Sequence, residues 1–256
     1  MILMQLVGSC VANMKGVTDM GAYGLTDIGK ARNQNQDAFA IVEENDATLV
    51  VVADGIGGHQ AGDVASKLAC NLLMTYFKNL YDHNPEKWFK QSLKKVNKIV
   101  FEEANNSVNL KGMGTTIVAA IITEDDVWIL NVGDSRAYYL TKADMLIKIT
   151  EDHSLANDLV VKEGMSPEQA REVGKHIITR AVGIWPKVEG DIYQLTDKYK
   201  ALLLCSDGLH NYVAPNEIIK ILTSAKSNDE KCKQLINKAN SAGGFDNITA
   251  VIVDGE

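Results

Sequence analysis

Leu49-Val50-Val51-Val52-Ala53-Asp54-Gly55 is the stretch that most strongly limits the fold, because five consecutive apolar residues lead directly into an aspartate and a glycine. A short apolar run rich in β-branched residues predicts a strand buried on both faces. The same pattern recurs at residues 128–134 and 202–208, each with an aspartate near the end of the apolar run. Asp246, which follows a glycine pair and precedes the last apolar run, is a fourth case. We therefore expect buried strands whose ends carry aspartates.

Outward from these runs, the chain alternates between groups of strands and pairs of helices. Further strands are predicted near residues 23–26, 37–42, 115–122, 136–140, 146–149, 191–195 and 248–253. Apolar residues at helical spacing predict helices at 61–80 and from Asn84 to Ala104, with others at 154–164, 167–174, 215–224 and 229–242. Short connections between consecutive strands favour antiparallel pairing. This order predicts one α+β domain with helices outside packed sheets.

The composition is that of an ordinary globular protein. The 256 residues are 46% hydrophobic and carry 26 Lys and Arg against 33 Asp and Glu, a net charge of −7. An acidic balance argues against nucleic acid or an anionic membrane as a partner, since both attract basic surfaces. The four cysteines are scattered, which favours free thiols in a reducing compartment. No apolar run reaches the ~20 residues of a membrane-spanning helix, and we expect a cytoplasmic protein.

The N-terminal residues are apolar but unlike a signal peptide. No Lys or Arg precedes the apolar run at residues 1–12, and that run is shorter than a typical signal-peptide core. We expect an N-terminal extension at residues 1–20, followed by one domain at residues 21–256.

The aspartates at the strand ends are the informative chemical feature. Any one of them could form an Asx turn, but a carboxylate at the end of a buried strand is costly unless it is hydrogen-bonded, paired or metal-bound. If the strand ends converge, these carboxylates crowd together: Asp54, Asp134, Asp207 and Asp246, with Asp37 as a fifth. A divalent cation would relieve the repulsion, and oxygen ligands select Mg²⁺ or Mn²⁺ over zinc. Two such ions serve displacement on phosphate, which Arg32 is suited to bind.

A series of short motifs runs through almost the whole chain. They are Gly24–Asp37, Val52–Gly62, Gly112–Thr116, Asn131–Ala137, Asp152–Ser154, Ile178–Gly183, Leu204–Gly208 and Gly244–Thr249. Each motif is weak alone, but the ordered set is highly specific. In this order the motifs resemble the metal-dependent PP2C (PPM) family of serine/threonine phosphatases, in its bacterial stand-alone branch.

The resemblance implies a fold and a first metal site. The implied fold is a four-layer α-β-β-α sandwich with two antiparallel sheets and outer helix pairs, in agreement with the predicted order of elements. Asp54 matches the carboxylate that bridges two catalytic metals, and Gly55 matches the carbonyl ligand beside it. Asp207 and Asp246 match the remaining ligands of the first metal.

The resemblance also implies roles for three further residues. Asp134, together with Asp207, matches the site of a third, weaker metal. Asp37 is similar to the acidic residue near the second metal, acting through water. Arg32 matches the phosphate-binding arginine. The implied cofactors are therefore two catalytic Mn²⁺ or Mg²⁺ ions and a third, weaker ion.

The chain departs from the family pattern at several positions. Gln36 stands where many members have a glutamate, and Ile56 stands where animal relatives carry a histidine thought to act as general acid. Residues 173–178 do not reproduce the usual sequence of a substrate-facing flap. We assign His59 and His153 a supporting role rather than a catalytic one.

We therefore expect hydrolysis of phosphoserine and phosphothreonine on proteins by a metal-activated water, without a covalent phospho-enzyme and in opposition to a serine/threonine kinase. The enzyme would act as a monomer on phosphorylated proteins, with neither nucleic acid nor membrane as a partner. Two alternatives stay open. An aspartyl-nucleophile phosphatase would use Asp54, but it expects a second aspartate where Ile56 stands, and a parallel sheet. A non-catalytic, metal-supported binding module is the other, and the apparently complete aspartate set argues against it.

Overall fold

The computed structural model describes residues 21–44, 46–58, 61–174 and 177–255. The strands are β1 (Tyr23–Asp27), β2 (Asp37–Glu44), β3 (Ala47–Ile56), β4 (Gly114–Thr115), β5 (Ile117–Ile122), β6 (Val127–Val132), β7 (Arg136–Thr141), β8 (Leu146–Lys148), β9 (Asp191–Leu195), β10 (Tyr199–Cys205) and β11 (Ile248–Asp254). The helices are α1 (Ala61–Leu80), α2 (Pro85–Asn106), α3 (Leu155–Glu163), α4 (Pro167–Gly174), α5 (Asp207–His210), α6 (Pro215–Leu222) and α7 (Asn228–Ser241). The predicted extension at residues 1–20 and the predicted supporting residue His59 lie outside the described residues.

The strands form two sheets. One has the order β1-β11-β10-β7-β8, and the other has the order β2-β3-β5-β6-β9, with the short β4 paired to the end of β3. Neighbouring strands in both sheets are antiparallel. The predicted antiparallel pairing is confirmed. The parallel sheet that an aspartyl-nucleophile phosphatase would need is not formed by the described strands.

Strand β3 contains the apolar run at residues 49–53 and contributes to two separate cores. Leu49, Val51 and Ala53 pack into a cluster with α1 and α2. Val50 and Val52 point the other way, as alternation along a strand requires, and pack into a cluster shared with the first sheet. A further cluster joins the first sheet to α6 and α7. The order helices, sheet, sheet, helices confirms the predicted four-layer α-β-β-α sandwich.

Local sequence explains where the two long helices lie. Helix α1 has the predicted bounds, and its apolar stripe faces the second sheet. Helix α2 begins after Asn84, whose side chain accepts a hydrogen bond from the Lys87 amide at 3.0 Å, with Pro85 at the first helical position. The predicted Asn-Pro start is therefore confirmed.

Several predicted elements differ from the structure. The strand predicted at 115–122 is interrupted at Thr116, which exchanges hydrogen bonds with Asp54 instead of continuing the ladder. The helices predicted to end at 224 and 242 end at Leu222 and Ser241. Helix α5 was not predicted, because four residues are too few to show a helical period.

The described cysteines are free thiols, and no described helix has the properties of a membrane span. Cys70, Cys205 and Cys232 are buried and unbridged, as predicted, while Cys10 lies outside the described residues. Across the part of the chain that the structure describes, no helix is both long and apolar enough to cross a bilayer.

Candidate active site

A cavity of about 730 Å³ opens where strand ends from both sheets meet. Six of the seven predicted site residues line it: Arg32, Asp54, Gly55, Asp134, Asp207 and Asp246. The structure therefore brings the four strand-end aspartates to one place. The roles that the sequence analysis gave them stay predictions.

Asp54 lies near the end of β3, with its backbone held on both sides. Its amide donates to Thr116 Oγ1 at 2.9 Å, and its carbonyl oxygen accepts from the Thr116 amide and the Thr115 hydroxyl, each at 2.9 Å. Gly55 follows in a space with no room for a side chain, since a Cβ there would overlap the carbonyl oxygen of Gly62. These contacts fix the Asp54–Gly55 corner at the cavity wall.

The turn between β6 and β7 carries Asp134. Gly133 adopts a φ of +108°, and a Cβ there would press against Thr116. The Gly133 amide donates to His153 Nδ1 at 3.1 Å, and His210 Nε2 lies 3.0 Å from the Asp134 carbonyl oxygen. Burial lowers the pKa of His210 to about 3, so its neutral ring donates this bond through a protonated Nε2. The turn is thus held by groups from three separate segments.

Asp207 begins helix α5 directly after β10. Asn211 Nδ2 donates to Asp207 Oδ2 at 3.2 Å. The next residue, Gly208, lies so near the segment preceding β11 that a Cβ would overlap the carbonyl oxygen of Asn247. This close approach brings Asp207 next to Asp246.

Arg32 reaches the cavity from the loop between β1 and β2. One guanidinium nitrogen of Arg32 donates to Asp246 Oδ2 at 2.8 Å, and the arginine side chain is 50% exposed. Asn247 ties the same loop in place, because its Nδ2 donates to the carbonyl oxygens of Ile28 and Gln34 at 2.9 and 3.0 Å. Sequence reasoning assigned Asn247 no role, since bonds between such distant positions leave no local pattern.

Asp37 is the predicted site residue that does not line the cavity. It pairs with Asp54 across β2 and β3 and is 4% exposed. Its Oδ2 accepts from Ser206 Oγ at 2.7 Å and from Thr249 Oγ1 at 2.6 Å, while its buried Oδ1 has no hydrogen-bond partner among the described residues. Burial raises the pKa of Asp37 to about 7. It therefore lies behind Asp54, and its predicted contact with a metal through water stays a prediction.

The carboxylates of the cavity repel one another. Burial raises the pKa of Asp54 well above its ordinary value, and the charges of Asp37, Asp207, Asp134 and Asp246 raise it further. Burial raises the pKa of Asp134 to about 7, with the Asp207 charge as the next cause. Asp134 Oδ1 is buried and has no hydrogen-bond partner among the described residues. A divalent cation would supply the missing positive charge and the missing partner.

The oxygen atoms that line the cavity are suitable ligands for a hard cation that keeps bound water. The described residues that line the cavity offer carboxylate and carbonyl oxygens but no cysteine or histidine, which favours Mg²⁺ or Mn²⁺. Among the described residues, no three His, Cys, Asp or Glu side chains surround a single point as a closed metal cluster would. Mg²⁺ commonly keeps several waters and takes only one or two carboxylates, so an open carboxylate cavity suits it.

Two departures from the family pattern lie in the cavity wall. Ile56 and Gln36 both line it, and neither side chain titrates near neutral pH. His153 is placed elsewhere, below the β6–β7 turn, where its Nε2 lies 3.0 Å from Asp191 Oδ2. His153 therefore holds the turn, and its supporting rather than catalytic role stays a prediction.

A family model described as protein phosphatase 2C matches residues 30–241 of the chain. The chain is 43% identical over 245 residues to the serine/threonine phosphatase stp of Listeria monocytogenes serovar 1/2a, covering 92% of this chain and 96% of the relative. It is 34% identical over 235 residues to the protein phosphatase PhpP of Streptococcus pneumoniae, covering 90% of this chain and 95% of the relative.

Solved structures are similar to the fold throughout its length. The S. agalactiae serine/threonine phosphatase superposes with a TM-score of 0.85 at 35% identity, covering 92% of this chain and 99% of that chain. The serine/threonine phosphatase PstP/Ppp of Mycobacterium tuberculosis superposes with a TM-score of 0.80 at 28% identity, covering 91% of this chain and 97% of that chain.

Proposed function

Because the chain belongs to the protein phosphatase 2C family and is a serine/threonine phosphatase of that type, we propose that it hydrolyses phosphoserine and phosphothreonine on proteins with the aid of two divalent ions. One observation carries the proposal: four strand-end aspartates and one arginine line the same cavity. The negatively charged cavity wall attracts a phosphate only after cations have bound to it. The acidic residues of the cavity are therefore compatible with phosphatase activity.

Each residue of the cavity has a proposed task. Asp54, Asp207 and Asp246 would hold the ions together with the Gly55 carbonyl, and Asp134 with Asp207 would hold a third, weaker one. Bound Mn²⁺ or Mg²⁺ supplies an activated water at neutral pH and neutralises charge on the phosphate. Asp37 would orient water from behind Asp54, through its buried Oδ1.

Arg32 is the proposed phosphate-binding residue. Its guanidinium can present two N–H groups to two phosphate oxygens, a geometry that lysine cannot reproduce. The side chain is half exposed and paired with Asp246, so the ion pair pre-orients it at the cavity mouth. Once a metal ion has bound Asp246, the Arg32 guanidinium would contact both Asp246 and the phosphate.

The same proposal extends to the substrates, the location and the oligomeric state of the enzyme. Substrates would be proteins phosphorylated by a serine/threonine kinase, and the enzyme would act as a cytoplasmic monomer with its catalytic domain at residues 21–256. Nucleic acid and membrane are not expected as partners, because the net charge is −7.

The decisive test removes one proposed ligand and compares it with an ordinary surface aspartate. We expect Asp207→Ala to lower kcat on a phosphothreonine peptide with Mn²⁺ by about 100-fold or more, the scale of losing a group that stabilises developing charge. Asp125→Ala, at the exposed turn between β5 and β6, should retain activity. EDTA should abolish the activity of the unaltered enzyme. Activity that survives EDTA, or is indifferent to Asp207, contradicts the metal mechanism.

The aspartyl-nucleophile alternative has its own test. Brief reaction with substrate followed by acid quenching should trap no phospho-aspartate at Asp54. A stable acyl phosphate on that residue would replace the proposed mechanism with a covalent one.

A further inference from the structure

An aromatic pair, Tyr212 and Phe245, lies at the wall of the active-site cavity. Both residues line that cavity, and their ring centroids are 5.5 Å apart with the planes inclined by 40°. Phe245 is 56% exposed and directly precedes the proposed ligand Asp246. We call this pair the aromatic shelf.

The shelf is held in position before any substrate arrives. The ring of Phe245 lies against Gly243, whose φ is +130° and where an added Cβ would collide with the ring. The ring of Tyr212 also packs against the ring of Phe245. An exposed aromatic ring that is held by such contacts can contact a ligand with little loss of side-chain freedom.

The charged residues around the shelf influence which kind of side chain from a bound peptide can contact it. Asp246 and Asp207 line the same cavity as the shelf, and the proposed ions would offset their charge. Arg32 also lines this cavity and pairs with Asp246, and Lys30 lies near the shelf, because its amide donates to the Gly244 carbonyl at 2.7 Å. Both are exposed cations, which disfavours a second cation. An aliphatic side chain meets no such penalty, and unlike an anionic side chain it loses no favourable hydration when it covers the exposed ring of Phe245.

We propose that Tyr212 and Phe245 contact a bulky aliphatic side chain within two positions of the phosphorylated residue and thereby set a sequence preference. This inference rests on the proposed protein phosphatase function and names a subclass of its substrates. Tyr212 also lines a second cavity of about 690 Å³, so one member of the shelf borders both cavities.

A leucine scan of one phosphothreonine peptide tests the inference. The reference peptide has glycine at the two positions on either side of phosphothreonine, and each is replaced by leucine in turn. We expect one leucine peptide to have a kcat/KM about three- to tenfold above the reference, the range of partly burying one leucine side chain. Phe245→Ala and Tyr212→Ala should reduce that ratio toward one, whereas Phe245→Leu and Tyr212→Phe should retain most of it.

The matched control is Trp185→Ala, since Trp185 is 45% exposed and is absent from the lining of both cavities. It should retain the ratio of the unaltered enzyme. The inference is overturned if no leucine position is preferred, if both alanine variants keep the preference, or if arginine at the preferred position outperforms leucine. Failure to hydrolyse even the glycine peptide with saturating Mn²⁺ is a different result, since it removes the proposed function along with the inference.

Discussion

Arg136 and Asp152 form a two-point ion pair beside the turn that carries Asp134. Arg136 Nε and a terminal guanidinium nitrogen donate to the two carboxylate oxygens of Asp152 at 2.8 and 2.6 Å. The two side chains are 22% and 12% exposed, so water screens the pair weakly. Burial alone would raise the pKa of Asp152, but the hydrogen bonds and charge of Arg136 lower it below the ordinary value of 3.8. Ionised Asp152 therefore stabilises the folded state.

Asp152→Asn should lower the free energy of unfolding at pH 7 by about 3 kcal/mol, because Arg136 is left buried without its counter-charge. The folded-state pKa is the lower one, so this stabilisation is complete above pH 3.8 and is lost as pH falls through the folded value. The difference between variant and unaltered enzyme should thus shrink below about pH 4. Urea unfolding in EDTA at several pH values measures it.

The matched control for this prediction is Asp158→Asn. Asp158 pairs with Lys162 on the exposed face of α3, and its loss should cost at most about 0.5 kcal/mol. A difference for Asp152→Asn that is constant from neutral to strongly acidic pH would show that ionisation of Asp152 does not stabilise the folded state.

At the scale of elements, β9 supports the turn between β6 and β7. The Gly133 amide donates to His153 Nδ1, so the ring proton lies on Nε2, which donates to Asp191 Oδ2 at 3.0 Å. Asp191 is the first residue of β9 and also accepts from Arg180 at 2.9 Å. The first strand position of β9 therefore orients the turn that presents Asp134.

His153→Ala should raise the Mn²⁺ concentration needed for half-maximal activity by about 10-fold or more, the scale of losing a residue that orients a metal ligand. Asp191→Asn keeps an oxygen acceptor for His153 and should have a much smaller effect. Titration of phosphatase activity with Mn²⁺ at a temperature where both variants remain folded measures this. An unchanged Mn²⁺ dependence in His153→Ala would show that the turn needs no such support.

Elements with a repeating pattern could be predicted from the sequence, and elements defined by distant contacts could not. The bounds predicted for α1 and β9 agree with the structure, because their apolar period is local. The interruption at Thr116 arises from its bonds to Asp54, and α5 depends on where β10 ends. Neither feature has a signal within a window of a few residues.

At the scale of the whole molecule, the convergence of the aspartates follows from the strand order. Sequence reasoning placed four aspartates at strand ends, and the two facing sheets bring those ends to one cavity. It could not place Asp37 behind Asp54, which requires the register of β2 on β3. The pairing of Tyr212 with Phe245 likewise depends on two segments that only the fold makes neighbours. Part of the net charge of −7 is therefore concentrated at the site.

Because these carboxylates lie close together, we expect Mn²⁺ to reverse the order of stability of the unaltered enzyme and Asp54→Asn. Because the pKa of Asp54 is raised in the folded state, its ionised form destabilises the metal-free fold once pH rises above the ordinary value of 3.8. Asp54→Asn should therefore be more stable than the unaltered enzyme in EDTA at neutral pH, because the buried charge of Asp54 is removed. In Mn²⁺ at 100 times its dissociation constant, the unaltered enzyme should gain about 2.7 kcal/mol per site, and the variant much less. The order of the two melting temperatures should thus reverse on adding Mn²⁺, while Asp125→Asn should follow the unaltered enzyme in both buffers. Equal stabilisation of all three proteins by Mn²⁺ would mean that Asp54 holds no ion, and lower stability of Asp54→Asn in EDTA would mean that its charge is compensated within the protein.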